Sequence, residues 1–171
     1  KGAVETLVKV LEDVRQEPMV RHEAAEALGA IGSPESLAIL ETFLNDPVTE
    51  VAETCQLALE RIKYLQDPDE AENASKNPYA SVDPAPPLAT KNAAELAAIL
   101  LDEKAALFER YRAMFALRNL GSPEAIKALC SALKGGSALY RHEVAFVLGQ
   151  MRHEASVPAL RDSLEDEAEN E

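Results

Sequence analysis

Apolar residues along this chain recur at three- and four-residue steps, the spacing of amphipathic helices. In MVRHEAAEALGAIG, residues 19–32, Ala24, Ala27, Leu28 and Ile31 fall on one helical stripe. Later segments lie over this one. VAETCQLALERI, from Val51, matches at an offset of 31, placing Ala27 on Ala58, Leu28 on Leu59 and Ile31 on Ile62. ERYRAMFALRNLGSPEAIKALCSAL, from Glu109, matches at an offset of 89, so that Leu28 through Pro34 fall on Leu117 through Pro123. YRHEVAFVLGQMRHEASVPALRDSL matches at 120, with Leu28-Gly29 on Leu148-Gly149. The last step, 120 minus 89, is again 31. A period of this length with two helical stretches in each unit predicts an all-α chain, an α-solenoid of helix pairs.

Punctuation residues support the pairing. In Gly32-Ser33-Pro34-Glu35 and Gly121-Ser122-Pro123-Glu124 the Gly ends one helix, the Ser caps the next and the Pro takes its first position. Pro18 suits a first helical turn in the same way. SLAILETFL, AIKALCSAL, GAVETLVKVLED and VPALRDSLED read as the second helices of their units. Residues 66–92 hold five of the ten prolines and no helical period, which predicts a linker. The expected organisation is therefore helical repeats over 1–65, a linker over 66–92 and helical repeats over 93–168. Each half carries one helix with a His-Glu pair and one without. The plain helix follows in the first half and precedes in the second, as in the middle of a longer, pseudo-symmetric protein. An initial Lys in place of Met fits a fragment.

Composition narrows the function classes. With 47% hydrophobic residues in 171, the chain can bury a core. A formal net charge of -13 argues against nucleic acid and favours a basic partner or substrate. AAELAAILL, residues 93–101, is too short and too polar to span a bilayer, so no membrane association is expected. There is no signal-peptide pattern. Cys55 and Cys130 have no zinc spacing and sit in apolar helical settings, which suits a reducing cytoplasmic location.

All three histidines are followed by Glu. His153-Glu154 aligns with the Ser33-Pro34 turn and reads as a capping and surface element. His22-Glu23 and His142-Glu143 share one phase of the repeat, where the other units carry Glu53-Thr54 and Tyr111-Arg112. The pair is thus not a packing requirement, and RHE reads as an addition to a scaffold helix. Neighbouring helical residues point about 100° apart, from 3.6 residues per turn, so one pair does not readily chelate a single metal. Several helices together can. Imidazole plus carboxylate suits non-haem Fe(II), and Mn or Zn accept the same atoms. The plainer alternative is two polar residues near helix starts, with Glu favoured there by the helix dipole.

RHEAAEALGAIG, PVTEVAETCQLAL, NPYASVDPAPP, LFERYRAMFALRN and SALYRHEVAFVLGQ together resemble deoxyhypusine hydroxylase, over nearly the whole chain. The resemblance implies two halves of HEAT-like helix pairs with a di-iron centre (Fe2+) held between them by His-Glu motifs. It implies O2 as co-substrate and hydroxylation of the deoxyhypusine side chain of a eukaryotic translation initiation factor. His22, Glu23, His142 and Glu143 are then metal ligands, matching the second and third of four family motifs. The first and fourth would lie outside residues 1–171. Half a ligand set predicts weak or no di-iron binding by one copy, and a homodimer would bring four motifs together. A protein-binding helical scaffold without chemistry, or a repeat protein of the bilin-lyase kind, are the alternatives.

Overall fold

The computed structural model describes residues 2–67 and 77–169, and no strand occurs among them. Nor, among these residues, is any helix long and apolar enough to cross a membrane. Residues 68–76 of the expected linker lie outside the described residues. The chain forms two compact units, one holding the N-terminal helices with Val82–Ala85, the other holding residues 77–81 and the C-terminal helices.

The first unit contains α1 (Gly2–Glu12), α2 (Pro18–Ile31), a 3-10 turn (Pro34–Ser36), α3 (Leu37–Thr42) and α4 (Thr49–Gln66). Pro18 opens α2, where its missing N–H costs nothing. Gly32 closes it at φ 71°, donating its N–H to Leu28 O. That left-handed conformation favours Gly because a Cβ would crowd the backbone. Ser33 differs from expectation: its side chain makes no capping bond, and the chain enters a 3-10 turn first.

Helix α2 is central, packing against both α1 and α4. Two neighbours rotate and widen its buried face. Ala24 and Leu28 are buried as expected, but so are Arg21, His22, Ala25 and Gly29, while Ile31 is exposed. The core gathers Leu11, Leu28, Leu40, Val51, Cys55 and Ile62. Arg21 is part of the scaffold. Its Nε donates to Leu11 O at 2.9 Å, tying α2 to the end of α1. In the second unit Arg110, at the same repeat phase, donates Nε to Leu100 O at 3.1 Å. This corrects the reading of RHE as one added block, because the Arg also stands in a helix without the His-Glu pair.

The second unit contains α5 (Ala93–Leu101), α6 (Leu107–Leu120), α7 (Pro123–Ala132), α8 (Ala138–Met151), a 3-10 turn (Glu154–Ser156) and α9 (Val157–Leu164). Here the expected Ser cap forms: Ser122 accepts from Ala125 N. Gly121 ends α6 at φ 63°, and Arg152 takes the same left-handed role after α8 at φ 51°. His153 caps the next turn, its Nδ1 accepting from Ala155 N at 3.1 Å.

Proline-rich residues 77–88 are tied down by arginines. Arg118 is fully buried, stacks over the Tyr79 and Phe115 rings, and donates to Asn77 Oδ1 and Gln150 Oε1. Arg112 Nε donates to Pro86 O, and Leu88 N donates to Arg112 O. In the first unit Arg61 reaches Asp83 O at 3.0 Å and Gly29 O at 2.6 Å.

Candidate functional site

His22 lies in the second turn of α2, where α4 covers it to 4% exposure. Its Nδ1 is 2.6 Å from Thr54 Oγ1, and Thr54 Oγ1 donates to Glu50 O, four residues back on α4, at 2.7 Å. A hydroxyl has one proton. If that proton pointed to Nδ1, the Thr54 and Glu50 oxygens would face each other at 2.7 Å as two acceptors. The consistent arrangement is Nδ1–H donating to Thr54, so in the neutral ring the lone pair is on Nε2. Nε2 faces two carboxylates, Glu26 at 3.7 Å and Glu23 at 3.9 Å. Burial, and after it the charge of Glu23, push the Glu26 carboxyl above its ordinary range. Periodicity alone gave no reason to select Glu26. Its position four residues after His22, on the same face, is the signal that identifies it.

The second pair is oriented the other way. His142 is exposed and Glu143 is buried at 8% exposure. Adjacent helical positions point about 100° apart, so whichever side the neighbouring helix covers decides which member is buried. Helix α2 meets its plain helix, α4, after it in the chain, whereas α8 packs against the preceding α6 and α7. The plain helices are also not featureless at this phase. Thr54 holds His22. Tyr111 is 1% exposed and meets the Tyr140 ring edge-on at 5.8 Å, and Arg112 pairs with Glu109 at 3.1 Å.

The donor chemistry fits a metal in part. His22 offers an imidazole lone pair beside two carboxylates, and a His whose other nitrogen donates to a fixed acceptor is the usual form of a ligating imidazole. His142 and Glu143 supply the same donor types. Among the described residues, however, no cluster of three or more His, Cys, Asp or Glu side chains is arranged to hold a metal ion by itself. The two cysteines are free, and burial pushes the Cys55 thiol up to about 12, which removes it as a thiolate donor.

Paired helices repeating about every 31 residues, with a glycine or a left-handed residue closing α2, α6 and α8, define a helical-repeat protein. A model of HEAT repeats matches residues 1–60 and 93–171, and the chain belongs to the HEAT-repeat family. Its particular likeness is to deoxyhypusine hydroxylases. It is 59% identical over 170 residues to the deoxyhypusine hydroxylase of Drosophila pseudoobscura pseudoobscura, covering 99% of this chain and 56% of that protein. The human deoxyhypusine hydroxylase is 58% identical over 168 residues, covering 98% of this chain and 55% of that one. The solved structure of human deoxyhypusine hydroxylase in complex with glycerol superposes with a TM-score of 0.93 at 57% identity, covering 99% of this chain and 58% of that one. The chain thus spans just over half the length of the curated relatives it matches.

Proposed function

We propose that this chain serves deoxyhypusine hydroxylation: the O2-dependent oxidation, in the cytoplasm, of the deoxyhypusine side chain of a translation initiation factor. Carrying the reading is the identity near 60% to deoxyhypusine hydroxylases over 99% of the chain, both His-Glu helices included. His22, Glu23, His142 and Glu143 are the proposed iron ligands. Iron, when bound, supplies activation of O2 toward an unactivated C–H bond, chemistry that no side chain provides.

The chain's own residues position and attract. Thr54 holds the His22 ring, and α4 keeps water from its Nδ1 side. Glu23 remains exposed beside Nε2, and Glu26 lies partly buried next to it. A net charge of -13 draws a long polyamine-like cation such as deoxyhypusine toward the protein.

The test is anaerobic loading with Fe(II), followed by iron per chain and by mass spectrometry of a deoxyhypusine-containing factor exposed to O2. His22→Ala and His142→Ala should each lower iron content while helicity by circular dichroism stays unchanged. Iron occupancy that survives both substitutions would refute the ligand assignment. A helical scaffold without chemistry would take up no iron in any variant.

A further inference from the structure

We propose that Thr54 is a positioning residue that fixes His22 as its Nδ1–H tautomer and so presents Nε2 as the metal-binding atom. The inference deepens the iron-ligand reading of His22 and rests on it.

Three observations carry it. First, the Thr54 hydroxyl is committed on its donor side. Its proton goes to Glu50 O at 2.7 Å, the back-bond that a helical Thr commonly makes. The lone pairs are then all it offers to Nδ1 at 2.6 Å. Second, both partners are enclosed: Thr54 is 3% and His22 is 4% exposed, so water does not readily replace either. Third, Nε2 is the ring nitrogen that faces the carboxylates, Glu26 at 3.7 Å and Glu23 at 3.9 Å, so the nitrogen left over by the Thr54 contact is the one beside the other candidate donors.

A second-sphere acceptor of this kind does two things. It keeps the ring proton off the nitrogen that must face a metal, and it prevents the ring from turning over about its Cβ–Cγ bond. Losing such a partner weakens metal binding by about 10- to 100-fold. Thr54 stands at the phase that Glu23 occupies in α2, on the helix lacking His-Glu. That helix therefore contributes the orienting group where its neighbour contributes the ligand.

Thr54→Val keeps the branched shape and removes the acceptor, whereas Thr54→Ser keeps the hydroxyl. The whole chain is labelled with 15N-histidine, and the His22 ring is assigned by its loss in His22→Ala. Long-range 1H–15N correlations at alkaline pH then report which ring nitrogen carries the proton. Anaerobic equilibrium dialysis against Fe(II) alone gives the affinity. Wild type and Thr54→Ser should show a protonated Nδ1 and matching affinities. Thr54→Val should show mixed tautomers and an affinity about 10- to 100-fold weaker, with helicity retained. Predominant protonation of Nε2 in the wild type overturns the proposal, and so does a Thr54→Val chain with wild-type tautomer and affinity. If Thr54→Val fails to fold, the wild-type and Thr54→Ser tautomers decide the matter. Should the wild type bind no Fe(II), the iron reading fails, and the tautomer comparison alone then judges the role of Thr54.

Discussion

Arg21 and Asp46 form a buried pair, each side chain 4% exposed, with Arg21 Nη2 at 2.6 Å and Nη1 at 3.3 Å from the two carboxylate oxygens. Asp46 also accepts from Val48 N at 2.9 Å. Burial alone would raise this carboxyl, but the hydrogen bonds from Arg21 and Val48 and the Arg21 charge together outweigh it, leaving it depressed. A carboxyl depressed in the folded state stabilises the fold above its unfolded value, near 3.9, and that contribution disappears as pH falls through the lower folded value. Asp46→Ala should cost about 3 kcal/mol at neutral pH, because it strands a buried guanidinium, and should flatten the acid limb of stability. Urea denaturation at several pH values measures both; an unchanged acid limb would remove Asp46 from the account. Sequence could not assign Arg21 this work, since partners 25 residues apart meet only once the loop between α3 and α4 lies against α2. Nor could it show that His22 turns inward and His142 outward.

At the scale of the helix, one repeat phase illustrates how packing overrides pattern. Gly29, Arg118 and Gly149 are aligned by the offsets of 89 and 120. A Cβ on Gly29 would lie 2.7 Å from Ala58 Cβ and 2.9 Å from Ala58 Cα, so the glycine allows α2 and α4 to approach closely. A Cβ on Gly149 meets nothing within 4 Å. Arg118, at the same phase, fills its space with a buried guanidinium that secures residues 77–81. The same substitution therefore has opposite effects. Gly29→Ala should destabilise by about 1–3 kcal/mol through overpacking. Gly149→Ala should stabilise by up to about 1 kcal/mol through helix propensity. Denaturant midpoints of the two variants, compared with wild type, check the signs. Helix ends were easier to read than helix faces. Pro18, Gly32, Gly121 and Ser122 act where their local chemistry places them, whereas Ser33 lost its cap to a 3-10 turn.

For the molecule as a whole, charge is the readable property. A net charge of -13 creates a field that favours cations. Association with a deoxyhypusine-containing peptide should slow as ionic strength rises, since screening shortens the field to about 8 Å at physiological salt. Stopped-flow rates across a salt series test this, and a flat profile would argue against electrostatic guidance. Internal self-similarity was likewise legible at this scale as an α-solenoid of helix pairs, and the HEAT-repeat model matches the chain over both sets of helices.

By itself the sequence determined the helical period, the repeat of about 31 residues, the proline and glycine boundaries, and the His-Glu pairs at a shared phase. These are local or periodic properties, set by backbone geometry and side-chain type. Tertiary structure alone decided which member of each pair is enclosed, that Thr54 meets His22, and that Arg21 belongs to the scaffold. Adjacent helical residues diverge by about 100°, so their fates depend on the side from which a neighbouring helix packs. That side is fixed by contacts between residues far apart in the chain, and a helical period carries no record of them.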